Sequence, residues 1–200
     1  MTRLVALATA IALAGCYPAL VTNDDNEGEV ITTVTLTFTP DGGGTPVTAS
    51  FDDPDGDGGE LPVIDPIVLT AGTTYDLAVQ FINRREEPAE DITLEVRDES
   101  DEHQVFFTGS AVDGPASDHP DGPLVQTYAD LDVNGLPIGL DNQIVARTGT
   151  GMLTVTLRHL PPLNGQPAKT AELADAVKAG GFAGLAGETD AQVPFDVTVP

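Results

Sequence analysis

The chain has 200 residues, 40% of them hydrophobic, and its 32 acidic side chains against eight basic ones give a formal net charge of −24. Such a charge argues against nucleic acid and anionic membrane surfaces as partners, because both would repel it. The charge fits a solvated acidic surface or a protein that collects cations. The apolar content and the length indicate one folded domain with its own core.

The first residues, MTRLVALATAIALAGC, have the composition of an export signal. Arg3 precedes an apolar run over residues 4–13, which is too short to span ~30 Å of hydrocarbon as a helix. A basic start, a short apolar segment and small residues before a cleavage point are typical of a secretory signal peptide. We therefore predict a signal peptide over 1–15, a cysteine and polar tether over 16–28, and a folded domain over 29–200.

Leu13-Ala14-Gly15-Cys16 resembles the lipobox of bacterial lipoproteins, in which the cysteine sulfur receives a diacylglycerol and the cysteine becomes the new N-terminus. The resemblance implies that Cys16 carries fatty acids such as palmitate and anchors the protein to a membrane. In Gram-negative lipoproteins an aspartate after the cysteine favours inner-membrane retention. Tyr17 at that position implies the outer membrane, on its periplasmic face or the cell surface. The alternative is an ordinary signal peptide in which Cys16 has no function.

Strict alternation of apolar and polar residues predicts β-strands along most of the remaining chain. Turn sequences such as PDGGG, HPDG and RTGTG separate the strands. Such strands predict an all-β fold, an antiparallel β-sandwich. PIVLTAGTTYDLAVQF resembles the strand–turn–strand of immunoglobulin-like domains. The predicted strands centre on residues 30–39, 47–51, 75–81, 92–96, 153–157 and 193–199.

One short helix is predicted before the last strand. The segment PAKTAELADAVKAGG begins at Pro167, places Leu173, Ala174 and Val177 on one face, and stops at the glycine pair 180–181.

No catalytic motif is recognisable. The chain has no Gly-x-Ser-x-Gly, no phosphate-binding loop and no dinucleotide fingerprint. Cys16 is the only cysteine, so the mature domain forms neither an internal disulfide nor a thiolate metal site. These observations predict a non-enzymatic protein.

Residues 130–141, DLDVNGLPIGLD, match the ligand spacing of a calcium loop. Calcium prefers hard oxygen ligands, which such loops supply at alternating positions and at their last residue. The alternative is an acidic hairpin turn made by Asn134-Gly135. The predicted ligands are Asp130, Asp132, Asn134, the peptide oxygen of Leu136, and Asp141.

A second calcium candidate lies in DDPDGDGGE, residues 52–60. Asp53, Asp55 and Asp57 stand at alternating positions, as calcium ligands do. So many acids close together repel one another unless water or a cation screens them. The alternative is a solvated acidic turn.

The histidines offer a different site. His159 continues the apolar face of the strand at 153–157, and His103 shares a face with Val105 and Phe107. If those strand ends meet, His103, His159 and Asp101 would bind zinc, or the two histidines would ligate haem iron. The alternative is a pair of core histidines that are only hydrogen-bonded.

Several segments together resemble a poorly characterised group of bacterial lipoproteins labelled type 1 periplasmic binding fold. They are LTFTPDGGGTPVTASFDDPDGDGG, EDITLEVRDESDEHQVFF, DLDVNGLPIGL and TVTLRHLPPLNG. That fold alternates strands and helices, so we infer no activity from this resemblance. The sequence predicts a lipid-anchored binding or structural protein of the outer membrane, stabilised by calcium. The alternative is a metal- or haem-capturing protein that feeds an outer-membrane receptor.

Overall fold

The computed structural model describes residues 29–55 and 60–200. The predicted signal peptide, Cys16, the tether and Asp57 lie outside these residues, so the predictions made for them stay predictions. Neither helix of the described part has the length and hydrophobicity needed to cross a bilayer.

The described chain is mostly β, with two short helices. The elements before residue 100 are β1 (Thr33–Pro40), β2 (Val47–Asp52), β3 (Val63–Ile64), β4 (Ile67–Val68), β5 (Thr74–Asn83), β6 (Glu90–Asp91) and α1 (Ile92–Asp98). Those after it are β7 (His103–Thr108), β8 (Val112–Gly114), β9 (Ser117–Asp118), β10 (Leu124–Tyr128), β11 (Asp141–Ala146), β12 (Gly149–His159), α2 (Leu173–Gly180) and β13 (Glu188–Val199).

The strands form two sheets. The larger sheet has the order β3-β2-β1-β5-β11-β10-β8-β9, with β6 added to β5, and the smaller has the order β4-β13-β12-β7. Most neighbours are antiparallel, but β8 runs parallel to β10 and β4 runs parallel to β13. The prediction of a β-rich, largely antiparallel fold is confirmed.

One hydrophobic core takes side chains from both sheets. Alternate residues of β1 and β5 are buried, as the period of two requires. The same cluster contains the apolar face of the smaller sheet, so both sheets bury their apolar faces against a common interior. Its smaller-sheet members include Val105, Phe107, Leu153, Val155, Leu157, Phe195 and Val197.

The predicted strand at 92–96 is wrong, because this segment forms helix α1. Ile92 and Val96 are buried, whereas Leu94 is 62% exposed, so the buried residues follow a helical i, i+4 spacing rather than alternation. The carboxylate of Asp91 accepts a hydrogen bond from the N–H of Thr93 and caps the helix. The prediction of a single helix is wrong for the same reason.

The helix predicted before the last strand is confirmed as α2, but it begins at Leu173 and not at Pro167. Leu173 and Val177 are its buried residues. They pack in a second, smaller cluster against Phe106 and Leu160. The helix ends at Gly180 and is capped by Gly181, whose φ of 68° lies in the left-handed region that glycine adopts without strain.

Candidate metal centre

The ends of β7 and β12 bring two histidines together. His103 and His159 are directly opposite each other in the antiparallel pairing of these strands. Their rings stack with centroids 4.6 Å apart and an interplanar angle of 7°. The sequence prediction depended on these two strand ends meeting, and they do meet.

Both imidazoles are buried. The Nδ1 of His103 lies 3.1 Å from the carbonyl oxygen of Glu99, and its Nε2 has no hydrogen-bond partner among the described residues. Burial, with smaller contributions from His159 and Lys169, lowers the pKa of His103 to about 4. The ring is therefore neutral near pH 7, which is the form that binds a metal ion.

The third member of the cluster is Glu99, not the predicted Asp101. The ligand atoms of Glu99, His103 and His159 all lie within 4.8 Å of one another. Zinc bonds of ~2 Å in a tetrahedron require ligand atoms about 3.3 Å apart, and an imidazole nitrogen bonds in the plane of its ring, so the two rings would have to rotate out of their stack to share one ion. Glu99 caps the C-terminus of α1. Because the sequence predicted a strand there, it did not indicate where this carboxylate lies.

The carboxylates of Glu102 and Asp190 lie near His159, and that of Glu29 interacts with Asp190. His159 Nε2 lies 3.8 Å from Glu102 Oε2. Burial, together with Glu188, raises the pKa of Asp190 to about 6, although His159 and Arg158 oppose the shift. Burial and the neighbouring carboxylates of Glu95, Asp190 and Glu99 raise the pKa of Glu29 to about 7. None of these acids carries a sequence motif that would have marked it.

Two imidazoles and a carboxylate form a donor set suited to zinc and similar divalent ions. A haem with two histidine ligands needs one imidazole on each face of the porphyrin. The rings of His103 and His159 instead lie face to face at 4.6 Å. The arrangement therefore favours a small ion over haem iron.

The loop at 130–141 directs its oxygens to groups of the protein itself. The carboxylate of Asp130 accepts hydrogen bonds from the N–H groups of Gly139, Leu140 and Asp141 at 2.8–3.0 Å. The peptide oxygen of Leu136 accepts one from the N–H of Asp132. Asp132 Oδ1 likewise accepts from the N–H groups of Asn134 and Leu136. Oxygens of three predicted calcium ligands, Asp130, Asp132 and Leu136, therefore already accept hydrogen bonds within the loop.

A lysine occupies the cation position beside Asp132. Lys169 Nζ lies 2.9 Å from Asp132 Oδ2, and both side chains are almost fully buried. Burial alone would raise the pKa of Asp132, but the N–H of Leu136 and the ammonium of Lys169 hold it below its usual range. Asp141 lies 3.7 Å from Arg97. Calcium binding here stays a prediction, and it requires the ion to displace Lys169.

The second acidic loop is described only in part. The N–H of Glu60 donates to the carboxylate of Asp55, and this bond is the main cause that lowers the pKa of Asp55. Arg85 also donates to the peptide oxygen of Asp55. Asp53 precedes this turn. The contacts described for Asp55 are therefore with Glu60 and Arg85 and not with the histidines. Calcium binding at this loop stays a prediction.

Comparison with known proteins finds no matching family model, no matching curated protein and no matching solved structure. The molecule is therefore described by its own architecture. It has two largely antiparallel sheets, and a cluster of two histidines and a glutamate lies where the ends of β7 and β12 pair.

Proposed function

We propose that this protein is an exported, lipid-anchored β-domain that binds a divalent transition-metal ion through His103, His159 and Glu99. The observation that carries the proposal is the buried, stacked histidine pair with a carboxylate whose ligand atoms lie within 4.8 Å. The scaffold that we propose is an immunoglobulin-like sandwich, which the shared core of the two sheets supports.

The unpartnered Nε2 of His103 favours a ligand over a purely structural role. A buried nitrogen without a hydrogen bond costs about 1–3 kcal/mol, because its contact with water is lost and not replaced. A bound ion would give Nε2 a coordinate bond in place of its lost contact with water. Alternatively, an ion bound by the other nitrogen would fix the ring in an orientation that gives Nε2 a hydrogen bond. Imidazole nitrogen also favours zinc, copper or nickel over calcium.

The role that we propose is metal capture rather than catalysis. The predicted lipid on Cys16 would hold the domain at the outer membrane, where it would deliver the ion to an uptake receptor. The acidic surface would draw cations toward the site, because a net charge of −24 attracts them over the range of a Debye length.

Zinc titration of the purified mature protein by calorimetry tests the proposal. We expect one tight site in the wild type and a loss of affinity of about 100-fold or more in His159→Ala and His103→Gln, since each removes a ligand. His119→Ala is the matched control, because His119 is exposed and lies outside the cluster. Addition of haem should give no shifted Soret band.

Melting curves in chelator establish that each variant is folded. Equal zinc affinity in the wild type and both site variants would contradict the proposal, and so would a wild type that binds no zinc. A loss confined to His119→Ala would place the ion elsewhere.

A further inference from the structure

A lysine amine and a carboxyl group meet in the interior of the domain. Lys169 Nζ lies 2.9 Å from Asp132 Oδ2, and the two side chains are only 1% and 0% exposed. Because a carbon–oxygen bond is about 1.2 Å long, the carboxyl carbon of Asp132 lies no more than about 4.1 Å from Nζ. Atoms that react with each other start about 3–3.5 Å apart. A small rotation of either side chain therefore brings the nitrogen and the carbon into a reactive position.

The ammonium of Lys169 has more protons than acceptors. It donates to Asp132 Oδ2 and, at 2.6 Å, to the carbonyl oxygen of Ser100, so among the described residues its third proton has no acceptor. Burial lowers the pKa of Lys169, although the carboxylates of Asp132, Asp130 and Asp101 oppose this shift. Burial of this amine therefore favours its neutral form, which is the form of lysine that acts as a nucleophile.

The hydrogen bonds around the pair match those that an amide needs. Asp132 Oδ1 accepts from the N–H groups of Asn134 and Leu136. These donors would stabilise negative charge on Oδ1 during attack, and afterwards they would satisfy the amide oxygen. The one N–H that an amide keeps on Nζ would continue to donate to the carbonyl oxygen of Ser100. Every polar atom of the amide would therefore have a partner.

We propose that Lys169 and Asp132 form an intramolecular isopeptide bond, an amide between their side chains. The ammonium first gives one proton to Oδ2 across their direct contact. The neutral nitrogen then attacks the carboxyl carbon, so that the bond from Nζ to this carbon forms and the bond from the carbon to Oδ2 breaks. Oδ2 leaves as water with two of the three ammonium protons. The reaction therefore needs no cofactor, oxidant or second reactant.

The bond would stabilise a domain that has no disulfide. Cys16 is the only cysteine of the chain. The amide would close a loop between residues 132 and 169 and restrict the unfolded chain, as a disulfide does. It would also consume the carboxylate of Asp132, so the predicted calcium site and the amide exclude each other at this residue. The inference does not depend on the proposed metal site.

Peptide mapping of the denatured wild-type protein tests the proposal. Trypsin cleaves after lysines whose amine is free, so the amide blocks cleavage after Lys169. We expect residues 98–147 to be joined to residues 159–178, with a mass about 18 Da below the sum of the two peptides, because one water is lost. Cleavage after Lys178, whose hydrogen bond to Gly114 is exposed, shows in the same digest that trypsin is active.

Two substitutions should abolish the joined peptides. Lys169→Arg removes the amine that forms the bond, and Asp132→Ala removes the carboxyl group. Asp141→Asn is the matched control: Asp141 belongs to the same loop, its side chain is 50% exposed, and the variant should keep the bond.

The wild type decides the proposal even if a variant fails to fold. Separate peptides of unreduced mass, with normal cleavage after Lys169, would overturn it. Joined peptides in Asp132→Ala would overturn it as well, because the lysine would then be bonded to a different group.

Discussion

Lys169 is one of two lysines in the chain, and its ammonium is buried between two segments that are distant in sequence. Its Nζ lies 2.9 Å from the carboxylate of Asp132 and 2.6 Å from the carbonyl oxygen of Ser100. The ion pair therefore joins the loop at 130–141 to the turn after α1 and to the segment before α2. Removing one partner leaves the other charge buried without its counterion.

We expect Lys169→Met to lower the free energy of unfolding by about 3–5 kcal/mol, because the carboxylate of Asp132 stays buried and loses its cation. Urea denaturation, followed by circular dichroism, measures the change. The double variant with Asp132→Asn should recover part of the loss, because it removes the uncompensated charge.

Lys178→Met is the matched control, since Lys178 donates an exposed hydrogen bond to the carbonyl oxygen of Gly114. It should change stability by less than about 0.5 kcal/mol. Equal effects of the two lysine substitutions would contradict a special role for the buried pair. Lys169→Met also tests the calcium prediction: calcium should stabilise this variant more than the wild type, because the cation position is vacated.

Glu29 makes the stability depend on pH. Its pKa rises from 4.5 to about 7 in the folded protein. Between these values the folded state keeps a proton that the unfolded state has lost, so stability from this group is complete below pH 4.5 and is lost as the pH rises through 7. Above that pH the folded protein holds an unfavourable, half-buried charge.

In the presence of chelator, we expect Glu29→Gln to raise the melting temperature above pH 7 and to leave it unchanged below pH 4.5, since glutamine does not ionise. Solvent screening of the half-buried group limits the gain to about 1 kcal/mol, or roughly 2–4 °C for a domain of this size. Differential scanning calorimetry over this pH range measures it.

The exposed Glu86 provides the control, and Glu86→Gln should give the same pH profile as the wild type. If the melting temperature of Glu29→Gln parallels that of the wild type at every pH, folding does not raise the pKa of Glu29 and the prediction is wrong.

At the scale of elements, α1 shows how a short segment chooses between helix and strand. Ile92, Leu94 and Val96 satisfy the alternation of a strand, while Ile92 and Val96 alone satisfy a helical turn. Thr93 decides the outcome through its contacts. Its Oγ1 accepts a hydrogen bond from the N–H of Phe81 and donates one to the carbonyl of Phe81, so the side chain takes the place of a strand neighbour beside β5.

The cap of α1 gives a prediction at this scale. Asp91→Ala should lower the free energy of unfolding by about 1 kcal/mol, because the N–H of Thr93 loses its acceptor. Chemical denaturation measures the loss. Asp98→Ala is the control: Asp98 lies in the last turn, where a negative charge is unfavourable to the helix dipole, so no loss is expected. Equal losses in both variants would contradict a capping role for Asp91.

At the scale of the whole molecule, the long pair β12–β13 connects the core to the candidate metal centre. Its central residues Leu153, Val155 and Phe195 are buried in the common core. The end of the pair carries His159 and a β-bulge, in which Asp190 is the extra residue opposite Leu157 and Arg158. The rigid core therefore fixes the positions of the proposed ligands at its edge, as a preorganised binding site would require.

The predicted lipid anchor also belongs to this scale. We expect intact mass spectrometry of the membrane-purified protein to give a chain that begins at Cys16 and carries fatty acids. The wild type should partition into the detergent phase, because acyl chains bury CH₂ groups there at about 0.8 kcal/mol each.

Cys16→Ser is the control for the anchor, and it should partition into the aqueous phase because it lacks the acceptor sulfur. An unacylated chain that still begins at Met1 would contradict both the lipid anchor and the outer-membrane location.

The sequence alone predicts the strands well where the pattern is local. Alternation in β1, β2, β5, β12 and β13 marks their buried faces, because residues two apart on a strand always point to the same side. The same local logic places the end of α2 at a glycine. It also places His103 and His159 on core-facing positions near strand ends.

Only the tertiary structure decides which charged groups meet. The pairing of Lys169 with Asp132, and the meeting of Glu99 with His103 and His159, join segments that are apart in sequence. A chain with 32 acids contains no local mark that separates these few from the solvated majority. Burial and neighbouring charges shift the pKa of an acid such as Asp132, and both depend on the fold rather than on position in the sequence.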